Sequence, residues 1–202
     1  DRRDQKLMRI TTLRDRIQAA GARPVHEARL LRAWARGLPP DGAGGLPEYP
    51  SRLKALLPEL TTDLASLARI CSEHAGADGS TRLLLDLADG LSVETVLLPP
   101  VGVCVSTQVG CAVGCVFCMT GREGLLRQLG SAEIVAQVVL ARARQTVRKV
   151  VFMGMGEPAH NLDNVLEAIH LLGTAGDIGH KNLVFSTVGD RRVFERLPEG
   201  PV

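Results

Sequence analysis

CVSTQVGCAVGCVFCMTG (residues 104–121) holds four of the five cysteines of a 202-residue chain. Upstream it continues an apolar run, VGVCVSTQV (101–109), that reads as a β-strand. Downstream, SAEIVAQVVLARAR (131–144) reads as a helix with Ser131 as its N-cap. The same order then repeats: KVVFMG (149–154) is a second strand, NLDNVLEAIHLLG (161–173) a second helix and NLVFST (182–187) a third strand. Strands and helices alternating at this spacing predict an α/β fold with parallel strands and right-handed crossovers, in an open sheet or part of a β/α barrel. In either case ligands sit beyond the C-terminal strand ends. The cysteine loop, GMGEP (154–158) and STVG (186–189) all fall there.

Cys111, Cys115 and Cys118 form C-x3-C-x2-C, a spacing that lets one short loop wrap three thiolates around a face of an iron–sulfur cluster. Such clusters ordinarily take four cysteines, so three leave one iron open, and an open position distinguishes a catalytic metal centre from a closed structural one. The alternatives are a zinc site, or a closed cluster with Cys104 as fourth ligand. Only one C-x2-C pair exists and His160 is the closest downstream histidine, which argues against zinc; Cys104 lies inside an apolar strand, which argues against the closed cluster. Disulfide stapling is not expected, because nothing in the sequence resembles an export signal or an apolar run long enough for a membrane span, and a cytoplasmic protein is the default.

Outside this region the chain is of ordinary globular composition, 45% hydrophobic and 23% charged. LMRITTLRDRIQ (7–18) and VHEARLLRAWARG (25–37) read as helices, the second opened by Pro24 and closed by Gly37, with His26 and Trp34 as packing residues. LPPDGAGGLP (38–47) is a loop. A further helical stretch over 51–71, ended by Gly76, would make Cys71 a core residue. TRLLLDLADGLSVETVLLP (81–99) reads as two strands joined at Asp89-Gly90. The expected organisation is a helical accessory domain over 1–76, connecting strands over 77–100 and the first half of a β/α barrel over 101–202. Residues 1–40 carry ten Lys/Arg against four Asp/Glu, an asymmetry that suits a polyanion such as RNA or, equally, a solvated helix face. The chain opens without Met and stops at LPEGPV as a new element should begin, so a fragment is expected.

With Phe117 just before its third cysteine and a strand before its first, the loop resembles that of radical S-adenosylmethionine enzymes. ETVLLP (94–99), CVSTQVGCAVGCVFCMTG, VVFMGMGEPAHNLDNV (150–165) and FSTVG (185–189) resemble, in order, the motifs of the RlmN/Cfr family, which methylates adenine in 23S ribosomal RNA and, for some members, transfer RNA. RLLRAWARG (29–37) and DGSTRLLLDLADG (78–90) resemble that family's N-terminal part. The resemblance implies a 4Fe–4S cluster on Cys111, Cys115 and Cys118, S-adenosylmethionine on its open iron, and a 5′-deoxyadenosyl radical from reductive cleavage of that cofactor. It implies cofactor contacts from Gly156, Glu157 and Ser186, with Phe117 both packing and walling the cofactor. Two catalytic roles are also implied: Glu94 as proton acceptor, and Cys104 as the thiol that resolves an RNA–protein crosslink by a transient disulfide. The implied partners are ribosomal RNA, transfer RNA and an electron-donating flavodoxin or ferredoxin-type protein. The product expected is adenine methylated at C2, with C8 methylation or a non-enzymatic iron–sulfur RNA-binding module as the alternatives. No residue here matches the family's C-terminal methyl-carrying cysteine.

Overall fold

The computed structural model describes residues 8–40 and 48–197. Arg2, Arg3, Lys6, most of the Gly/Pro loop and all but the first residue of LPEGPV lie outside them. Three helices come first: α1 (Ile10–Ala19), α2 (Pro24–Ala35) and α3 (Ser51–Ser66). Strands β1 (Ala68–Ala75), β2 (Thr81–Leu87), β3 (Ser92–Leu98) and β4 (Gly102–Val105) follow. A short hairpin of β5 (Gln108–Gly110) and β6 (Leu125–Gln128) precedes α4 (Ser131–Arg142), β7 (Lys149–Phe152), α5 (Leu162–Thr174), β8 (Leu183–Phe185) and α6 (Arg191–Arg196).

Six strands form one sheet in the order β1-β2-β3-β4-β7-β8. The first three pairings are antiparallel; β4-β7 and β7-β8 are parallel, as the strand–helix alternation predicts. Period-two patterning sends Leu83, Leu85, Val93, Val103, Val105 and Val150 to one face, where all are buried under the helices. The main apolar core runs from Ile10 on α1 to Leu183 on β8, with α4 at its centre, and a small second cluster gathers Ala159, Leu162 and Val193. Helix α4 is buried nearly all round, packing on α2, α3, α5 and the sheet. On the opposite sheet face Leu84, Glu94, Val96, Leu98 and Val151 are only half-buried.

Four local expectations are corrected. The helix read over 51–71 stops at Ser66, and Ala68–Ala75 is an edge strand that forms a hairpin with β2 through the turn at 76–80; its ARICSEHA pattern has no clean period-two alternation to announce it. Cys71 sits at a bulge in that strand and is exposed, not core. The single strand read over 101–109 is two, because the chain leaves the sheet at Ser106, whose N–H donates to Gln137 Oε1 (2.8 Å) and whose carbonyl accepts from Gln137 Nε2 (2.9 Å). Ser131 is the first helical residue of α4 and Gly130 the N-cap. The N–H of Gly130 donates to Glu133 Oε2 at 2.7 Å, while Ser131 Oγ accepts from the Ile10 N–H at 2.8 Å and donates to Glu167.

The basic N-terminal segment is partly neutralised from outside itself. Of its seven described arginines, Arg9, Arg14, Arg16 and Arg36 pair with Glu167, Glu27, Glu59 with Asp63, and Asp177. Only Glu27 among those acids lies within residues 1–40, so a count along the sequence misses the compensation. Glu167 is the pin between α1, α4 and α5, accepting also from the Thr11 N–H (2.8 Å) and the Thr11 and Ser131 hydroxyls. Burial pushes its carboxyl up, but the Ser131 and Thr11 hydrogen bonds and Arg9 outweigh this and hold it below its ordinary value of 4.5. A carboxyl depressed by folding stabilises the native state above its unfolded pKa and loses that contribution as pH falls through the folded value. Thermal midpoints followed from pH 7 down through 4.5 should therefore fall more steeply for the wild type than for Glu167→Gln.

Candidate active site

The three loops expected to carry chemistry stand together beyond β4, β7 and β8. Their common foundation is Ser106-Thr107-Gln108, at most 1% exposed, where β4 steps across to β5. Ser106 Oγ donates to the Glu94 carbonyl (2.5 Å) and accepts from the Met155 N–H (2.8 Å). The N–H groups of Thr107 and Gln108 both donate to the Met155 carbonyl. Asn161 Nδ2 donates to the carbonyls of Thr107 and Leu129, each at 2.7 Å. Buried polar groups must be paired, and here the pairing ties the cysteine-loop base to the GMGEP turn. None of Ser106, Gln108, Gln137 or Asn161 was singled out from sequence. The available signal was a polar STQ triplet ending an apolar strand.

The cysteine loop springs from the β5-β6 hairpin. Gly110, at φ +75°, closes it against β6 so tightly that a Cβ would lie 2.1 Å from the Gly124 carbonyl oxygen. Cys111, Cys115 and Cys118 are all partly exposed free thiols. The Cys118 N–H donates to the Cys115 carbonyl (3.0 Å), and the Val113 N–H reaches Cys111 Sγ (3.5 Å). The Thr120 hydroxyl, then its N–H, hold the Cys118 thiol below the usual range, which favours the thiolate a metal requires. Val116 and Phe117 project outward, Phe117 with 87% of its surface exposed, so the packing expected of Phe117 is not found.

Among the described residues no three His, Cys, Asp or Glu side chains crowd closely enough to hold a single ion. A tetrahedral zinc site demands that crowding. A cubane does not, because its three thiolates attach to different irons. The donor set fits the cluster: three thiols on one short, accessible loop, one already biased toward the thiolate.

Glu157 is buried at 4% exposure. Its Oε1 accepts from the Ala159 N–H (3.0 Å) and the Thr187 hydroxyl (2.5 Å), and Oε2 from the Val188 N–H (3.0 Å). The carboxylate thus ties the turn after β7 to the turn after β8, which the half-buried Ser186 opens. Gly156 takes φ +99°, and a Cβ there would fall 2.5 Å from Gln108 Cβ; one on Gly154 would meet Ser106 Oγ and the Val105 carbonyl at 2.8 Å. Close approach requires both glycines, and what approaches is the STQ triplet.

Glu94 and Cys104 lie on the open sheet face. Val96 pairs with Cys104 across β3-β4, and Glu94 is two residues along the same face. Glu94 is reached by Arg82 Nη1 at 3.3 Å. Cys104 is 7% exposed, and burial pushes its thiol up, a backbone hydrogen bond at Met153 opposing. It is therefore a protonated thiol at neutral pH.

Arg127 on β6, also unforeseen, fixes the loop's outgoing strand: it donates to both oxygens of Glu133 (2.9 and 3.0 Å) and to Asp89 Oδ2 (2.5 Å) at the β2-β3 turn. Replacing it with alanine strands Glu133, 5% exposed, without its counter-charge, a loss of about 3 kcal/mol by comparison with broken buried pairs. Urea unfolding should show this, with part of the loss recovered in the Arg127→Ala/Glu133→Gln double variant.

Parallel strands whose C-terminal ends carry a three-cysteine loop beside a Gly-Glu turn define a radical S-adenosylmethionine domain. Residues 105–202 match the model of the Radical SAM superfamily and form a radical SAM domain. The chain's relatives are RNA enzymes by name: it is 71% identical over 197 residues to a probable RNA methyltransferase of Aromatoleum aromaticum and 68% identical to one of Leptothrix cholodnii, in each case over 96% of this chain and 55% or 57% of the relative. The crystal structure of a radical SAM methyltransferase from Sphaerobacter thermophilus superposes with a TM-score of 0.72 at 32% identity, over 96% of this chain and 59% of that one. The chain thus spans little more than half the length of the curated relatives it matches. The resemblance read from the motifs is borne out. No helix among the described residues is long and apolar enough to cross a membrane.

Proposed function

We propose that this chain is the cluster- and cofactor-binding part of a radical SAM methyltransferase that methylates adenine at C2 in ribosomal RNA, with transfer RNA as a further substrate. The observation that carries the reading is the meeting of the Cys111–Cys115–Cys118 loop, the Glu157 turn and the Ser186 turn at the ends of parallel strands, with Glu94 and Cys104 on the adjoining open face. Cys111, Cys115 and Cys118 hold the 4Fe–4S cluster. Bound there, it supplies from a flavodoxin- or ferredoxin-type donor the electron that cleaves S-adenosylmethionine. Gly156 and Glu157 hold the amino-acid end of the cofactor, the carboxylate having one oxygen with a single protein donor and so room to accept an ammonium proton. Ser186 offers a hydroxyl beside it, and the outward Phe117 closes over it and excludes water.

Glu94 accepts the adenine ring proton. Cys104, protonated in its strand, is held out of thiol exchange until an acceptor draws off its proton. The enzyme assignment is tested by incubating the whole methyltransferase that contains this chain, anaerobically reconstituted, with reductant, S-adenosylmethionine and 23S ribosomal RNA. Mass analysis of the nuclease digest should show 2-methyladenosine. Finding 8-methyladenosine instead would move the chain to the C8-specific members of the family. No methylated base and no 5′-deoxyadenosine would leave a non-enzymatic iron–sulfur RNA-binding module.

A further inference from the structure

We infer that Gln108 is a positioning residue that sets the Glu157 turn at a fixed distance from the cysteine loop, and so sets the affinity for S-adenosylmethionine; this rests on the cofactor site proposed above. Gln108 is fully buried, three residues before Cys111. Its Oε1 accepts from the Glu157 N–H at 2.7 Å, and its Nε2 donates to Gln128 Oε1 at 2.8 Å. Gln128 Nε2 in turn donates to the His160 carbonyl at 3.0 Å, beyond the same turn. The amide chain therefore grips the turn on both sides of Pro158, from the two strands that begin and end the cysteine loop.

Only a primary amide of this length supplies an acceptor for Glu157 and a donor for Gln128 together. Gly156 is the complementary surface, since any Cβ there would occupy the place of the Gln108 stem. A buried amide serving only stability would not need its acceptor on the backbone of the residue that faces the cofactor. The Glu157 carboxylate is aimed by that backbone, and its remaining partners, Ala159, Thr187 and Val188, belong to the turns after β7 and β8 and not to the cysteine loop. Gln108 is the direct link between the group that binds the cofactor and the loop that binds the cluster.

The test compares wild type, Gln108→Leu, Gln108→Glu and Gln128→Met after anaerobic reconstitution. Iron content and unfolding midpoint are measured first, then titration of the reduced cluster's electron paramagnetic resonance spectrum with S-adenosylmethionine. Gln108→Leu should keep its iron and bind the cofactor about tenfold more weakly, the loss of one well-formed hydrogen bond. KM for S-adenosylmethionine should rise while kcat at saturation changes much less. Gln108→Glu keeps the acceptor for the Glu157 N–H and should recover most of the affinity. Gln128→Met, which leaves Gln108 in place but unanchored, should fall between, and it carries the test if Gln108→Leu does not fold. Full iron with unchanged cofactor affinity in the folded variants overturns the inference. A wild-type spectrum indifferent to S-adenosylmethionine overturns instead the cofactor site on which it rests.

Discussion

Cys115→Ala should abolish formation of 5′-deoxyadenosine from S-adenosylmethionine while leaving the fold intact. The expectation has two separate physical halves. Cys115 belongs to an accessible loop and to neither apolar cluster of the core, so its truncation should move thermal or urea unfolding of the metal-free protein by no more than about half a kcal/mol. Its thiolate is one of only three on that loop, and an iron–sulfur cluster deprived of one of three ligands is not retained. Iron content and visible absorption should fall with product formation. Cys104→Ala makes the contrast: its side chain is on the sheet, and cluster assembly and 5′-deoxyadenosine formation should survive. Equal 5′-deoxyadenosine from wild type and Cys115→Ala would remove the cluster assignment.

Gly156→Ala should be strongly destabilising. A left-handed backbone costs a non-glycine residue about 1–2 kcal/mol, and forcing a buried side chain aside costs about 1–3 kcal/mol more. Both apply here, because φ is +99° and the added carbon would stand 2.5 Å from Gln108 Cβ, on the stem and not at a flexible tip. A total of about 2–5 kcal/mol should appear in urea unfolding of the metal-free protein. That condition matters. Were Gly156 required only to admit the cofactor, the metal-free protein would tolerate the substitution and only cofactor binding would suffer.

These two substitutions also mark the difference between what can be read along the chain and what cannot. Three cysteines at fixed spacing are a local statement: the loop that carries them is short enough to bring them to one place whatever surrounds it, so their chemistry was legible. The parallel strands β4, β7 and β8 were legible for the same reason, each being announced by its own apolar run, the first two with a helix after them. Strand β1 was not, since ARICSEHA is a strand only by virtue of pairing with β2. Nor was β6, whose LLRQ has no periodicity of its own and is held by β5 and by Arg127.

The site divides in the same way. From its residue types and spacings alone the sequence determined the cluster loop, the Gly-Glu turn after the second strand and the order in which they come, because a motif's chemistry depends on neighbours a few residues away. Only the tertiary structure decided that Glu94 and Cys104 share one open sheet face, that Thr187 and Val188 grip the Glu157 carboxylate, and that Gly156 is a glycine on account of Gln108. It also decided that Arg9, Arg16 and Arg36 of the arginine-rich start pair with acids far along the chain, on α5, on α3 and just after α5. Pairing register, burial and ion-pair partners are properties of residues tens of positions apart, and they acquire a distance only when the chain has closed on itself.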